Sequence, residues 1–383
     1  MKRVLFVSNG HGEVAIAARL ARELQAIEPI PCDHLALVGD FRYPSSMRDV
    51  GPRQAMPSGG VIAMGNFRNI ARDMRAGLLA HTLAQLRFLR GIRGTYAAAV
   101  AVGDIFALLM ALQARAHATV FVGTAKSVYV APYGALEERA IRKADAAFVR
   151  DAATAARLAE HGIAASAANA IVDLYAGGEQ TIDAPFDPLL ALFPGSREPA
   201  YTDAPFMARV LREIASADAR AGGIVSIAPG IDADRMRAQF EADGWRVENG
   251  KGELQPFSLY EGDREVLRAW KGPLDAMLRT ATVVLGQAGT ANEAAAARGI
   301  PVVAFARAGE ARAPWYRMRQ IGLLGDAMIV ASADASQAAA QVVALLRDPQ
   351  RRERMGQAGR ERMGAPGAAA SIAARIAALV NVR

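Results

Sequence analysis

The sequence predicts an α/β protein made of two successive doubly wound halves, each a mostly parallel sheet with helices on both faces. Two observations carry this prediction: short apolar runs alternate with helical patterns, and the alternation stops once and then restarts. The length of 383 residues and the hydrophobic content of 52% fit two domains with sizeable cores. We expect a ligand cleft between the halves, because such sheets bind ligands at the carboxyl ends of their strands.

The first half begins with a strand at 3–8 and a helix at 13–27, where Ile16, Leu20 and Leu24 share one face. Further strands are predicted at 34–38, 97–102, 119–122 and 146–150, and further helices at 105–114 and 152–161. Glycine and proline between 177 and 188 then mark a linker. The predicted first domain therefore covers residues 1–178.

The alternation restarts after the linker and predicts a second domain at 185–366. Its strands are predicted at 189–193, 224–228, 283–285 and 302–305, and its helices at 205–217, 236–243, 291–298 and 336–347. The remaining alanine-rich segment, 367–383, is predicted to form a helix that returns to pack on the first domain.

Composition limits the cellular setting and the kind of partner. A single cysteine, Cys32, excludes a disulfide within the chain and fits a reducing cytoplasm. The first apolar run is too short for a signal peptide, and no stretch reaches the length expected of a membrane span. The net charge of +7 indicates an anionic partner: a phosphate substrate, a lipid surface or nucleic acid. Nucleic acid is the weakest of these, since aromatics are only 6% and no nucleic-acid-binding motif is present.

The segment 283–305 reads as strand, small-residue turn, helix, glycine and strand. Gln287, Gly289 and Thr290 belong to the turn, where free N–H groups at the helix N-terminus can hold a phosphate. Glu293 follows in the first helical turn and could accept hydrogen bonds from ribose hydroxyls. The alternative is purely structural, because glycine is common in turns and the helix dipole favours an early carboxylate.

A second candidate phosphate loop follows the strand at 189–193. Gly195 allows close approach of the backbone, while Ser196 and Arg197 supply donors for phosphate oxygens. A surface turn with a solvated arginine is the alternative. The loop is not a P-loop, and the chain lacks the glycine triplet of a dinucleotide fingerprint.

Three residues of the first half are candidate catalytic groups. His11 and Glu13 follow the first strand, so the imidazole could act as a general base that Glu13 orients. Asp104 follows the strand at 97–102 and could serve catalysis or cap the next helix. The alternative for His11 is that it caps the helix or lies exposed in a turn. Lys126 lies beyond the strand at 119–122 and could meet an anion.

The stretch 66–94 combines leucines with six arginines, including Arg87, Arg90 and Arg93. A basic amphipathic helix of this kind can lie on an anionic membrane surface. It can equally be a core-facing helix with a solvated basic face. The scattered histidines and the lone cysteine form no evident metal-binding pattern, so no metal is expected.

Taken in order, five motifs resemble those of lipid-A-disaccharide synthase-related proteins, and more distantly those of the peptidoglycan N-acetylglucosaminyltransferase. They are FVSNGHGE from residue 6, VGD at 102–104, VGTAKS at 122–127, FPGSRE at 193–198 and GQAGTANEAAAARGIPVV at 286–303. The resemblance implies a GT-B fold, with two Rossmann-like domains facing a central cleft. It also implies inverting, metal-independent transfer from a UDP-sugar, with no separate cofactor.

By this resemblance, Gly195, Ser196 and Arg197 match the loop near the donor diphosphate. Gln287, Gly289 and Thr290 match the phosphate turn, and Glu293 matches the ribose-binding carboxylate. His11, Glu13 and Asp104 match positions that face the acceptor. The acceptor is expected to be lipid-linked or membrane-proximal, and the protein to be cytoplasmic, with possible peripheral contact with the inner face of the cytoplasmic membrane.

Two segments depart from the family pattern. The first loop is shorter than in the synthase itself, so a lipid-A precursor is not assumed as acceptor. Ala313–Tyr316 stands where the relatives carry a Gly-Pro-Gln-Phe turn near the hexose, which leaves the sugar open. Two other functions stay possible: a non-hydrolysing UDP-sugar 2-epimerase, and a non-catalytic protein that binds nucleotide sugars.

Overall fold

The chain folds into two compact units in a computed structural model that describes residues 2–39, 47–54, 74–75, 77–175, 177–307, 309–310 and 314–382. One unit is Met1–Leu174 together with Pro366–Arg383, and the other is Tyr175–Ala365. Each unit has its own sheet and its own hydrophobic core. The C-terminal segment thus belongs to the first unit.

The sheet of the first unit has seven parallel strands in the order β3-β2-β1-β4-β5-β6-β7. They are β1 (Val4–Ser8), β2 (Cys32–Ala36), β3 (Met47–Asp49), β4 (Ala98–Gly103), β5 (Ala118–Gly123), β6 (Ala146–Val149) and β7 (Ser166–Ala167). β1, β4 and β5 are buried along their whole length, which explains why they read as uninterrupted apolar runs. This confirms the predicted parallel sheet.

Within the described residues, the helices that accompany these strands are α1 (Gly10–Ile27), α2 (Leu78–Gly91), α3 (Ile105–Ala111), α4 (Ala135–Ile141) and α5 (Ala152–Glu160). Alternation along β1 supplies both faces of the sheet, since Val4 and Phe6 pack with α1 whereas Leu5 and Val7 pack with α3. The sheet is therefore covered on both sides, as a doubly wound fold requires.

The sheet of the second unit has eight strands in the order β10-β11-β12-β9-β8-β13-β14-β15. They are β8 (Leu189–Phe193), β9 (Gly222–Ser226), β10 (Arg246–Gly252), β11 (Gln255–Glu261), β12 (Arg264–Trp270), β13 (Val283–Gly286), β14 (Val302–Phe305) and β15 (Met328–Ala331). Seven strands run in one direction, and β11 runs antiparallel to both of its neighbours, β10 and β12.

The β10–β12 meander corrects the sequence analysis, which places no strand between 244 and 282. Its outermost strand, β10, has no buried residue and contains two glycines. Such a polar edge strand lacks the apolar run by which a buried strand is recognised.

The α-helices of the second unit that the structure describes are α6 (Ala200–Ala217), α7 (Ala233–Ala242), α8 (Leu274–Thr280), α9 (Thr290–Ala297), α10 (Trp315–Leu324), α11 (Ala335–Leu346) and α12 (Pro349–Met363). The core joins β8 and β9 with apolar residues of α6, α7 and α11. α9 is buried throughout its alanine run, which places the short helix directly against the sheet.

The last helix, α13 (Ala368–Asn381), packs in the first unit. Its apolar side, which includes Ile372 and Ile376, lies in the same core as Leu20 of α1. The carboxylate of Asp173 accepts hydrogen bonds from the backbone N–H groups of Gly367 and Ala369, at 2.7 and 2.6 Å. These bonds satisfy N–H groups at the start of α13 that have no partner within the helix.

One stretch, Pro349–Asn381, is long and apolar enough to cross a membrane by length and composition alone. This corrects the expectation that no stretch reaches such a length. Gly364 and Gly367, with φ of 75° and 111°, divide the stretch into α12 and α13. The apolar side of α13 is buried in the core of the first unit, so packing inside the protein explains the composition.

Candidate functional site

Both units place their candidate residues where the sheet order changes direction. In the first unit, β1 and β4 are neighbours and Ser8 pairs with Val102, so the segments that follow these strands meet at one edge. In the second unit, β8 and β13 are neighbours and Phe193 pairs with Gly286. Ligands of doubly wound sheets bind at such switch points, outside the carboxyl ends of the strands.

The segment after β1 is helical, not the loop that the sequence analysis expects. Only Asn9 separates β1 from α1, and Gly10 begins the helix with φ of 84°. Glycine adopts this left-handed conformation at little cost, which permits the abrupt change from strand to helix. His11 and Glu13 consequently lie in the first turn of α1. The side chain of His11 lies outside the described part of the structure.

Glu13 lies against the end of β4, beside Asp104. A Cβ atom placed on Gly103 would lie 3.0 Å from Cγ of Glu13, so glycine leaves room for the glutamate there. Burial raises the pKa of Glu13 to about 7, and the charge of Asp104 adds to this, partly offset by a hydrogen bond from the backbone of Glu13. The structure therefore brings together two predicted catalytic carboxylates, one of which changes charge near neutral pH.

Asp104 also caps a helix. Its Oδ1 accepts a hydrogen bond from the backbone N–H of Ala107 at 3.0 Å, at the start of α3. The bond confirms the capping role that the sequence suggests, and it fixes the carboxylate beside Glu13. A catalytic role for Asp104 stays a prediction.

Lys126 is engaged within its own unit. Its Nζ lies 2.6 Å from a carboxylate oxygen of Glu137 and also donates to the carbonyl oxygen of Pro132 at 3.4 Å. Glu137 neutralises the ammonium, so Lys126 is a weaker anion ligand than its sequence position suggests. Tyr133, which the sequence analysis misses, lies buried nearby over Gly123, where a Cβ would come within 2.3 Å of its hydroxyl oxygen.

The described part of the basic stretch 66–94 is residues 74–75 and 77–94, and the remainder lies outside the described residues. The buried side of α2 carries His81 and Gln85, whose side chains bond to backbone carbonyls of 36 and 37. Leu79 and Leu83 are instead 60% and 53% exposed. α2 therefore buries His81, Gln85 and Leu89 on its inner side and exposes two leucines on its outer side.

The exposed side of α2 also carries two of the predicted basic residues. Leu79, Leu83, Arg87 and Arg90 follow one another at spacings of four, four and three, which places them on one face. Both arginines are exposed. Arg93 lies beyond the end of the helix and donates to the backbone of residue 113 at 3.3 Å. We call Leu79, Leu83, Arg87 and Arg90 the leucine-arginine face.

In the second unit, the two predicted phosphate-binding segments lie side by side because β8 and β13 are neighbours. Gly195 adopts a φ of 111°, and Ser196 and Arg197 are exposed ahead of α6. After β13, Gly289 precedes α9 and has open space where a side chain would lie. The arrangement places an exposed guanidinium and a helix N-terminus at the same edge of one sheet.

Gln287 and Thr290 make internal contacts. The side-chain amide of Gln287 donates to the carbonyl oxygen of Phe305 at 2.7 Å, so this side chain ties the turn to β14. The hydroxyl of Thr290, the first residue of α9, lies 2.7 Å from the hydroxyl of Tyr175. Glu293 lies in the first turn of α9, is 6% exposed, and its N–H donates to the carbonyl of Gly289 at 3.3 Å.

A charged network that the sequence analysis misses follows β14. Arg307 forms a two-pronged ion pair with buried Asp203 of α6, at 2.8 and 2.5 Å, and these hydrogen bonds raise the pKa of Arg307. Arg307 also bonds to the hydroxyl of Tyr316, and Glu310 pairs with buried Arg317. The network anchors the segment after β14 to α6 and α10. Arg312 and Ala313, in the predicted sugar-facing segment, lie outside the described residues.

Among the residues that the structure describes, no group of three or more histidine, cysteine, aspartate or glutamate side chains could hold a metal ion. At the switch point of the second unit, backbone N–H groups, the hydroxyl of Ser196 and the guanidinium of Arg197 are donors that suit an anion.

The chain matches no model of a known protein family and no curated protein. Solved structures do match. A proposed UDP-N-acetylglucosamine 2-epimerase from Listeria monocytogenes matches with TM-score 0.60 and 15% identity, over 100% of this chain and 98% of that one. MurG from Acinetobacter baumannii matches with TM-score 0.58 and 12% identity, over 98% and 99%. A UDP-glucosyltransferase from Polygonum tinctorium matches with TM-score 0.59 and 12% identity, over 100% and 99%.

The chain has the GT-B fold, with two Rossmann-like units, as the sequence predicts. At such low identities the likeness establishes the fold alone. By name, the neighbours include both glycosyltransferases and a 2-epimerase. The resemblance to lipid-A-disaccharide synthase-related proteins is therefore confirmed only at the level of the fold.

Proposed function

We propose that this protein is an inverting, metal-independent glycosyltransferase that moves a sugar from a UDP-sugar to a hydroxyl of a lipid-linked or membrane-proximal acceptor. The observation that carries the proposal is the position of Glu13, which lies against the end of β4 beside Asp104 at the switch point of the first unit, where burial raises its pKa to about 7. A general base works best when its pKa lies near the operating pH. Inverting transfer requires one such base to accept the proton of the attacking hydroxyl.

The acceptor chemistry follows from the two carboxylates. In its ionised form, Glu13 accepts the proton of the acceptor hydroxyl as the new glycosidic bond forms. Asp104, held by its bond to the N–H of Ala107, keeps a negative charge near Glu13 and so increases its basicity. His11 lies two residues before Glu13, in the same helical turn, and stays a second candidate for the base.

The donor chemistry is assigned to the second unit. The N–H groups at the start of α9, with the exposed Ser196 and Arg197, suit the diphosphate of UDP, whose negative charge grows as the bond to the sugar breaks. Glu293 is assigned to the ribose hydroxyls. Gln287 and Thr290 are assigned to shaping the turn, because their side chains already bond within the fold.

The leucine-arginine face supports a membrane-proximal acceptor. Two exposed leucines flanked by two exposed arginines combine apolar insertion with attraction to anionic headgroups. We propose that this face holds the protein at the inner surface of the cytoplasmic membrane, where a lipid-linked acceptor is available.

Thermal unfolding with nucleotide sugars tests the proposal first. A ligand at a concentration of 100 Kd stabilises the folded state by about 2.7 kcal/mol, so UDP and the correct UDP-sugar should raise the Tm. UDP release in the presence of membrane extract should then depend on Glu13. Absence of stabilisation by any uridine nucleotide would exclude a UDP-sugar enzyme.

An epimerase is the second candidate, supported by the fold shared with the protein from Listeria monocytogenes. All five histidines of the chain, at 11, 34, 81, 117 and 161, belong to the first unit, so the second unit offers no imidazole for proton transfer at the sugar. Incubation with UDP-N-acetylglucosamine in D₂O separates the candidates. Deuterium at C2 without acceptor indicates epimerisation; binding of UDP-sugars with neither reaction, across acceptors, indicates a non-catalytic protein.

A further inference from the structure

Two linked side-chain amides hold the turn before α9 from its inner side. Asn292 is fully buried, and its amide nitrogen donates to the carbonyl oxygen of Gly286 at 3.1 Å and to the side-chain oxygen of Gln320 at 3.2 Å. Gln320, on α10, donates in turn to the carbonyl oxygens of Ala288 and Gly289, at 2.9 and 3.0 Å. Three carbonyl groups of one short turn are thus occupied by the two amides.

The orientation of both amides is determined by their partners. The amide nitrogen of Gln320 faces two carbonyl oxygens, and its oxygen faces the nitrogen of Asn292. Reversing Gln320 would bring oxygen against oxygen and nitrogen against nitrogen. Gly286 completes the arrangement, because a Cβ atom there would lie 1.9 Å from Oδ1 of Asn292. The packing therefore admits only one arrangement of donors and acceptors.

This arrangement determines where the N–H groups of the turn point. In a trans peptide, the C=O of one residue and the N–H of the next point in opposite directions. With the carbonyls of Ala288 and Gly289 directed at Gln320, the N–H groups of Gly289 and Thr290 are directed away from it. These are N–H groups at the start of α9, which have no acceptor within the helix and attract an anion.

We propose that Gln320, supported by Asn292, is a positioning residue of the diphosphate site: it holds the carbonyls of the turn inward so that the N–H groups of Gly289 and Thr290 face the donor phosphates. The inference rests on the proposed function and adds to it Gln320, which lies 28 positions after Asn292. Gln320 touches no substrate. It acts by keeping carbonyl oxygens, which repel phosphate, out of the anion site.

Calorimetric titration of the full chain with UDP, and separately with inorganic pyrophosphate, tests this role. Gln320→Glu replaces the donating nitrogen by an oxygen that faces two carbonyl oxygens. At pH 8 we expect the affinity for both probes to fall about tenfold or more, as for the loss of a hydrogen bond to a charged group. At pH 6 the affinity should recover relative to wild type, because the protonated carboxyl donates again. A general loss of packing would not recover with pH.

Gln341→Glu is the matched control. Gln341 is an exposed glutamine of α11 whose side-chain oxygen accepts the N–H of Ser332 at 3.0 Å, so the change should alter neither affinity nor its pH dependence. If Gln320→Glu does not fold, Gln320→Met keeps the length of the side chain without its donor, and the same loss is expected at both pH values.

The outcomes separate the two claims. If the wild type binds UDP and pyrophosphate and the folded Gln320 variant binds them equally well, the positioning role is overturned. The proposed function then stays intact. A wild-type protein that binds neither probe overturns the proposed function, and this inference with it. The positioning role of Gln320 is supported if Gln320→Glu loses pyrophosphate binding at pH 8 and regains it at pH 6, while Gln341→Glu shows neither change.

Discussion

The two switch points of the molecule have the same topology and opposite chemistry. At the first, burial and a neighbouring carboxylate raise the pKa of Glu13 to about 7. At the second, buried neutral amides from Asn292 and Gln320 occupy the carbonyls of a turn whose N–H groups are left for an anion. One edge is suited to accepting a proton and the other to holding negative charge.

The comparison teaches that the fold supplies the position and that the neighbouring helices supply the chemistry. α1 and α9 both begin within four residues of a central strand. What distinguishes them is the group packed against the first turn: Asp104 beside α1, and the amide of Gln320 beside α9.

The largest effect is expected from Glu13→Gln. The amide cannot accept the proton of the acceptor, so kcat should fall by about 10²- to 10⁴-fold, the usual contribution of a general base. UDP affinity, which depends on the second unit, should not change. In the wild type, kcat/KM should rise as pH increases through about 7, because only the ionised form of Glu13 accepts the proton.

Glu23→Gln is the control on the same helix. Glu23 pairs with Arg19 at 2.7 Å on α1, away from the switch point, and its loss should leave kcat unchanged. A Glu13 variant with wild-type kcat would remove Glu13 as the base and direct attention to His11.

The next effect concerns stability in acid, and it is expected in the first unit alone. His34 is buried, and burial followed by the charge of Arg53 lowers its pKa from 6.5 to about 4, while Asp49 partly opposes this. Because His34 binds a proton more tightly in the unfolded state than in the folded state, the folded protein loses stability as pH falls from 6.5 toward 4. Above pH 6.5 His34 is neutral in both states and this loss is absent. The loss amounts to about 3 kcal/mol.

Urea unfolding between pH 7 and pH 4 measures this effect. Ser8 and His34 lie 2.8 Å apart, so His34→Gln retains a polar contact while removing the titration. The variant should lose stability less steeply with acid than the wild type does. Exposed His117→Gln should keep the wild-type slope. An unchanged slope in His34→Gln would mean that other groups cause the acid sensitivity.

Sequence reasoning reached the fold, because apolar runs and glycine turns are local signals. The doubly wound parallel sheets and the GT-B fold are confirmed. The β10–β12 meander was missed: β10 has no buried residue to create a pattern, and the partly buried runs of β11 and β12 were not recognised as strands. For the catalytic and donor-binding residues, the positions are described and the roles stay predictions.

What sequence could not supply were the partners of those residues. Gln320 meets the turn from 31 positions away, and Arg307 meets Asp203 from 104 positions away. No spacing rule connects such residues; only the packing of α10 and α6 against the sheet does. The raised pKa of Glu13 has the same origin, because it depends on β4 and Asp104 lying beside α1.

Glu293→Gln tests the second switch point directly. A carboxylate that accepts bonds from ribose hydroxyls contributes about 1.5–3 kcal/mol, so UDP affinity should fall about ten- to a hundredfold. Pyrophosphate carries no ribose, and its affinity should stay at the wild-type value. Exposed Glu353→Gln on α12 is the control for a lost negative charge. An equal loss for both probes would place Glu293 in the support of the turn and not at the ribose.

The smallest effect is expected on the outer surface of the first unit. Arg90→Gln removes one charge from the leucine-arginine face, and each such arginine contributes about 1 kcal/mol to binding an anionic membrane, so partition onto phosphatidylglycerol vesicles should weaken about fivefold. Arg220→Gln, which removes an exposed charge of the second unit that pairs with Asp218, should leave partition unchanged. Binding should also weaken with added salt, since surface charges are screened. Equal losses in both variants would indicate attraction by net charge alone, with no special role for the leucine-arginine face. A loss confined to Arg90→Gln would instead assign membrane contact to the first unit, which carries Glu13.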